Sequence, residues 1–407
     1  MRRFTLRIKN ARASSNFNIG ASLSQAICSI STLYVSFCGP FFLDSTAFKK
    51  WMLYTTAFFM IQSYQRNIYL ENHLLRKDED SFHYWLACRF LPLSYLILPL
   101  IIVVVSNFRL SIFDIGITSG YLIALVQDRY RYLFLSVKPR LVIQADGSTM
   151  FTTLFISMLG VIIFRDNLEE IFLLQLLLSP MIGLILLCRS SLAILKKKSN
   201  KQHAIKASRG YLNFLRTQYI AGSSISLMAL MVLVNSLGVE QLKSLKMIQN
   251  FISPYQGLSV ILLVAIYANK NSQENRDRYK TSLRLSKKLF LSQALAVPVF
   301  AIGCLLISSR FFEINWFILD MKSLSVGLAG TVLMVCSMPI SAYLRTNNLG
   351  KEILIGGLLG SLAYVVLLFG LDFSKSIFGF FLSSSIGIFV TVMLNFYFAW
   401  KCERKSG

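Results

Sequence analysis

The chain has 407 residues, 55% of them hydrophobic and only 15% charged, with a formal net charge of +23 and a mean hydropathy of +0.57. Soluble domains carry about 25% charged residues, so a water-soluble core is excluded and the frame is a bundle of helices in lipid. In a soluble protein this basicity would suggest nucleic acid. Here the cations sort by loop, which removes that reading.

Apolar runs near 20 residues recur along the whole length, and each is long enough to span a bilayer. In chain order the expected spans are Phe17–Pro40, Phe48–Leu70, Tyr84–Val105, Leu110–Leu135, Met150–Phe164 and Ile171–Cys188. Six more follow at Tyr219–Leu237, Leu242–Ala268, Leu289–Ser308, Leu324–Leu344, Ile353–Leu371 and Ile377–Trp400. The fifth is short, and the second opens with Lys49 and Lys50. The basic N-terminal stretch lacks the short apolar core and small-residue cleavage site of a signal peptide, so the first span reads as a retained anchor.

The longest polar interruption, Arg189–Gln218, contains Lys196, Lys197 and Lys198 and divides the spans into two sets of six. It predicts an N-terminal lobe over 1–188, a basic cytoplasmic linker over 189–216 and a C-terminal lobe over 217–407. The lysine run itself reads as a solvated loop near anionic headgroups. Ile61–Gln65 and Ile252–Gln256 both read I-x-x-Y-Q in the second and eighth spans, a faint sign of a parallel duplication.

With both termini cytoplasmic, all but nine of the 42 Lys and Arg fall on the inner side. The nine are Lys49, Lys50, Arg109, Arg165, Lys243, Lys246, Arg310, Lys322 and Lys375. The opposite orientation would invert this bias. The seven cysteines are scattered without a CxxC and read as apolar packing residues, with no disulfide or metal role. His73, His83 and His203 have no metal-ligand spacing.

Polar stripes stand out against this background. In the first span Asn18, Ser22, Gln25, Ser29 and Thr32 recur three or four residues apart, on one helical face. The second span carries Thr55, Gln62 and Arg66 with Gln65 adjacent, and the seventh opens with Arg216 and continues with Ser223, Ser224 and Asn235. In the eighth, Lys243, Lys246, Asn250, Ser253 and Gly257 share a face, flanked by Gln249 and Gln256. A plain reading of each stripe is hydrogen-bonding glue between helices, and for Lys243 it is snorkelling to the headgroups. Lys246 lies a turn deeper and favours a water-filled cavity. The first two helices of each half hold the stripes, which points to one shared cavity. Its charges are Arg66, Arg216, Lys243 and Lys246, with no Asp or Glu. A pocket for cationic drugs would want a buried carboxylate, whereas cations suit a phosphate-bearing substrate.

Two acids lie in the fourth span, Asp114 and Asp128, about 21 Å apart along a helix. Asp114 is a candidate for coupling to a proton or sodium, or else reaches the interface. Asp128 is a second coupling candidate, or pairs with Arg131 or with a cytoplasmic-end arginine such as Arg89. The GxxxG pairs Gly116/Gly120 and Gly356/Gly360 suit close helix packing. There is no GxxxxGK[ST] phosphate loop, no long outer loop, and no acidic DxD pair at an outer helix end for a membrane glycosyltransferase. The chain therefore reads as a transporter and not an enzyme.

Four features together resemble a known family. They are the basic amphiphilic start running into the first span (Lys9–Gln25), twelve short-looped spans in two six-helix lobes, the Q-D-R-Y-R-Y of Gln127–Tyr132, and Leu237–Asn250 opening the eighth span. In these the chain resembles the lipid-linked oligosaccharide and polysaccharide flippases, among them O-antigen flippases, of the MATE-like multidrug/oligosaccharidyl-lipid/polysaccharide exporter superfamily. The resemblance implies an all-α integral membrane protein of about 12 transmembrane helices working by alternating access. It implies an undecaprenyl-pyrophosphate-linked sugar repeat unit moved across the bacterial inner (cytoplasmic) membrane, beside membrane lipids and other polysaccharide-assembly proteins. No cofactor is implied beyond H+, Na+ or the membrane potential. Members often carry more arginine in the first helix. The middle of this first span has none, which leaves Lys246 and Arg66 to meet pyrophosphate and Arg216 to act at the cytoplasmic mouth. Asn18, Gln25, Gln62, Gln249, Asn250 and Gln256 would then bond sugar hydroxyls. Two alternatives are an ion-coupled drug or metabolite exporter of the same fold, and a membrane glycosyltransferase or polymerase.

Overall fold

The computed structural model describes residues 23–24, 26–65, 95–106, 108–135, 138–163, 167–194, 234, 236–253, 278–311, 320–346, 349–371 and 373–406. Among them there is no strand. The chain divides into two compact units, Met1–Phe214 and Leu215–Gly407.

The first unit holds α1 (Ala26–Phe42), α2 (Ser45–Gln65), α3 (Ile97–Val105), α4 (Ile112–Leu135), α5 (Pro139–Ile163) and α6 (Leu168–Ile194). Local chemistry sets their starts. Asp44 Oδ1 accepts the backbone N–H of Thr46 at 2.8 Å and of Ala47 at 2.7 Å, capping α2. Proline is the first helical residue of α5, where its missing N–H costs nothing. Glu169 and Glu170 occupy the first turn of α6 and complement its dipole. The first GxxxG does bring helices close: a Cβ on Gly120 would lie 2.8 Å from the Leu176 carbonyl oxygen of α6. On α5, Phe151, Phe155, Met158 and Ile162 are exposed at alternating helical spacing. Such a stripe is an aggregation hazard in water and an ordinary surface in lipid.

The second unit holds α7 (residues 239–253), α8 (Arg278–Phe311), α9 (Met321–Thr346), α10 (Gly350–Val365), which passes into a π-helical turn at Val366–Gly370, and α11 (Ile377–Ser406). Its core forms where α11 packs on α9 and α10. Ser385 Oγ donates to the Val326 carbonyl at 2.8 Å, and a Cβ on Gly330 would collide with Ser385. Thr391 Oγ1 donates to the Gly356 carbonyl at 3.2 Å, and a Cβ on Gly360 would lie 2.5 Å from the Gly387 carbonyl oxygen. The second GxxxG is thus also a close-packing face. α7 docks on α9 where Ile252 fills the space beside Gly327.

Among the described residues, five helical segments, Pro139–Ile163, Leu168–Arg189, Met321–Leu344, Lys351–Gly370 and Ile377–Arg404, are long and apolar enough to cross a membrane. The protein is an all-α, multi-pass membrane protein. Three helices extend past the expected apolar spans. α5 begins at Pro139, not Met150; α8 begins at Arg278, not Leu289; α6 runs on to Ile194, into the stretch expected to be linker. Hydropathy registers only the apolar part of a helix, and these helices continue through polar turns. Most of the span expected over Tyr219–Leu237, residues 254–268 of the span expected over Leu242–Ala268, and the lysine run at 196–198 lie outside the described residues.

Candidate functional site

α7 carries the cationic stripe. Leu242, Leu245, Met247 and Ile248 pack inward with no exposure. On the polar face Lys246 and Asn250 are buried as well, 7% and 3% exposed, while Lys243 and Gln249 are half-buried. The sole carboxylate of α7, Glu240, is exposed at its first turn. The structure therefore brings Lys243, Lys246, Gln249 and Asn250 onto one helix whose polar centre is enclosed. In the first unit Gln62 is half-buried on α2. Asn18, Gln25, Arg66, Arg216 and Gln256 lie outside the described residues.

Several stripe residues turn out to join helices. Thr55 Oγ1 and Tyr121 Oη share a hydrogen bond of 2.6 Å. Gln65 Nε2 donates to the Leu125 carbonyl at 3.0 Å and its Oε1 accepts from Tyr95 Oη at 2.6 Å, tying α2 to α4 and to the turn before α3. Gln127 Nε2 donates to Thr149 Oγ1 at 2.9 Å. Polar contacts of this kind are each worth about 0.6–2 kcal/mol in lipid.

Asp114 is fully buried and both of its oxygens are engaged. Lys50 Nζ lies 3.2 Å from each oxygen, and Tyr54 Oη donates to Oδ1 at 2.8 Å. Oδ2 accepts the Ser111 backbone N–H at 2.8 Å and the Ser111 hydroxyl at 2.7 Å, while Ser111 Oγ accepts the Asp114 N–H at 3.2 Å. This is a reciprocal capping box with aspartate in the third helical position, so Asp114 starts α4 and pins α2 to it. Lys50 and Tyr54 sit four apart on α2, on the side that meets Asp114.

Asp128 belongs to a second buried ionic group. Arg131 Nη1 is 3.8 Å from Asp128 Oδ1, and Arg131 Nε is 2.8 Å from Asp146 Oδ2 on α5. Ser24 completes the group from the chain just before α1. Its hydroxyl donates to Asp146 Oδ2 at 2.6 Å and accepts from Arg131 Nη2 at 2.9 Å. Arg131 and Asp146 are each 3% exposed and Asp128 5%. A guanidinium between two carboxylates meets the requirement that buried charge be paired and hydrogen-bonded. The sequence did not mark Asp146, Ser24 or Lys50 as site residues. The Lys138–Pro139 step was the available signal for Asp146, because proline marks a helix start ahead of it and so places the aspartate within α5. Among the described residues, no group of three or more His, Cys, Asp and Glu could hold a metal ion.

No protein-family model and no curated protein matches the sequence. Solved structures do match in fold. One is described as the inward-facing conformation of a multidrug resistance MATE family transporter of the MOP superfamily. It is 13% identical over 97% of this chain and 98% of its own, with a TM-score of 0.66. The outward-facing conformation of a multidrug resistance MATE family transporter matches with a TM-score of 0.64, 12% identity and coverage of 97% and 96%. This chain has the MATE fold. A MOP superfamily transporter from Pyrococcus furiosus, whose reverse polarity of binding pocket is described as suggesting a different function, matches at the same 0.64, with 12% identity over 97% and 96%. Within the MATE fold, the buried cluster of Arg131, Asp128 and Asp146 falls wholly in the first unit, and the Lys246 stripe wholly in the second.

Proposed function

We propose that this protein is an alternating-access transporter that flips an anionic, pyrophosphate-linked oligosaccharide lipid across the bacterial inner membrane. The observation that carries this reading is Lys246, a lysine with 7% exposure on a helix whose one carboxylate among the described residues, Glu240, is exposed at its first turn. Placing an ammonium group there is costly, and a stripe of cation, amides and hydroxyl is suited to a phosphate with sugars attached. Lys246 and Arg66 are proposed to meet the phosphates and Arg216 to assist. Lys243, Asn18, Gln25, Gln62, Gln249, Asn250 and Gln256 are proposed to line the path of the sugar. A shared fold leaves cargo open, because cargo is set by the residues grafted on it. The Pyrococcus furiosus transporter, described by its reversed pocket polarity, supports weighing charge above fold.

A second reading, ion-coupled export of drugs or metabolites, is favoured by the buried carboxylates of the first unit and by neighbours described as multidrug resistance transporters. In that reading Asp128 and Asp146 around Arg131 would exchange the coupling ion. Asp114 is less able to do so, since the capping box and Lys50 already occupy it. Deleting the gene in its host tests the two. Lipid-linked repeat units held on the cytoplasmic leaflet support flipping. Intact surface glycan together with new drug sensitivity supports export.

A further inference from the structure

At one end of the second unit, two cationic helix segments pack on the same residue of α9, Tyr343. The Tyr279 ring, in the first turn of α8, has its centroid 5.6 Å from that of Tyr343 on α9. Tyr343 Oη in turn donates to Glu403 Oε2 of α11 at 3.5 Å. Ile340, Leu344, Ile353 and Ala399 form the core beneath these contacts. The start of α8 and the end of α11 are therefore brought to the same end of the unit, one on each side of Tyr343.

The first three turns of α8 expose Lys280, Arg284 and Lys287 at spacings of four and three, a single helical face. The same face continues into Leu291 and Ile302, both exposed and apolar. A cationic stripe thus leads directly into a lipid-facing one.

α11 repeats the arrangement in the opposite direction. Phe389, Met393, Tyr397 and Trp400 are exposed along one face. Beyond them Arg404 stacks 4.2 Å over the Trp400 ring and Lys401 lies 5.9 Å from the centre of the Tyr397 ring. Exposed Trp and Tyr sit at the level of lipid headgroups. Cations held over them by the ring quadrupole are presented at that level, with their stems against the acyl region.

We infer that this rim, formed by Lys280, Arg284, Lys287, Lys401 and Arg404 around Trp400, is a binding site for the phosphate of an anionic phospholipid. The acyl chains run down the exposed apolar faces of α8 and α11. Arg404, a planar fork already oriented by Trp400, grips the phosphate oxygens, and the lysines supply point charge. The site stands whichever cargo the transporter carries.

The test uses the full-length protein in neutral detergent. Phosphatidylglycerol, phosphatidylcholine or inorganic phosphate is titrated in, and thermal melting and lipid retention in native mass spectrometry are read. Phosphatidylglycerol should raise the melting temperature and be retained, with phosphatidylcholine and inorganic phosphate doing neither. The double variant K401Q/R404Q and the triple variant K280Q/R284Q/K287Q should each bind phosphatidylglycerol more weakly, by about fivefold per charge removed. K322Q, at the opposite end of the unit, should bind as the native protein does. Equal stabilisation by phosphatidylcholine, full reproduction of the effect by inorganic phosphate, or unchanged binding in both multiple variants would overturn the site. Should a variant fail to fold, the native protein decides by salt. Binding that falls in about 0.5 M NaCl supports the cationic rim, and binding indifferent to salt refutes it.

Discussion

Replacing Arg131 with methionine, with Asp128 and Asp146 left in place, isolates the energetics of the buried ionic group. The guanidinium lies 2.8 Å from Asp146 and 3.8 Å from Asp128. At an effective dielectric near 20 the closer pair alone attracts by about 6 kcal/mol before desolvation is subtracted. Methionine keeps the packing and takes away the counter-charge 2.8 Å from buried Asp146, for which a loss of about 3–5 kcal/mol is the expected outcome. R131M/D146N should be less damaged than R131M alone, because neutralising Asp146 removes the carboxylate that lay closest to the lost guanidinium. The expected pairwise coupling is about 2–3 kcal/mol. The assay is reversible unfolding by SDS in mixed micelles, followed by tryptophan fluorescence, on native, single and double variants. An R131M protein within about 1 kcal/mol of native would refute the reasoning. So would a double variant that loses the sum of the two single losses.

Further expectations rest on the packing. Gly120→Val should prevent stable assembly of the first unit, since even its Cβ would lie 2.8 Å from the Leu176 carbonyl oxygen; size-exclusion profiles and melting temperature would read this. Gly147→Ala is its control. Nothing lies within 4 Å of that Cβ, so the change should stabilise by about 0.5–1 kcal/mol through helix propensity. Ser111→Ala should cost about 0.5–2 kcal/mol by removing the cap of α4, and hydrogen exchange should rise at residues 111–115 and not at the end of that helix. Lys50→Met should cost more than Ser111→Ala, because it leaves Asp114 buried without its cation; the same SDS titration would show it.

The helices themselves were largely legible. α4 was expected from Leu110 and observed from Ile112, and α11 began at Ile377 as expected and ran on to Ser406, because apolar length is a direct imprint of the bilayer. Polar side chains were less legible, since a helix face tells which residues share a side and not what they meet. Gln65 and Thr55 belonged to a stripe and proved to bond α4 and the turn before α3. Asp146 was hidden for a related reason. Arg140, Gln144 and Asp146 lower the hydropathy at the start of α5, yet Asp146 is buried because Arg131 of another helix neutralises it. The pairing of Asp128 with Arg131 was one of the stated options, and at three residues apart on one helix it could be read locally. The Lys50–Asp114 pair, 64 residues apart in the chain, could not.

The most direct test of the cargo assignment is flipping by the purified protein in proteoliposomes, using a fluorescent polyprenyl-pyrophosphate oligosaccharide and an impermeant quencher. Protein-dependent flipping is expected, abolished by Lys246→Met and largely kept by Lys246→Arg, with both variants folded by the SDS assay. Flipping at the native rate by a folded Lys246→Met protein, or no flipping by the native protein, would rule out this cargo.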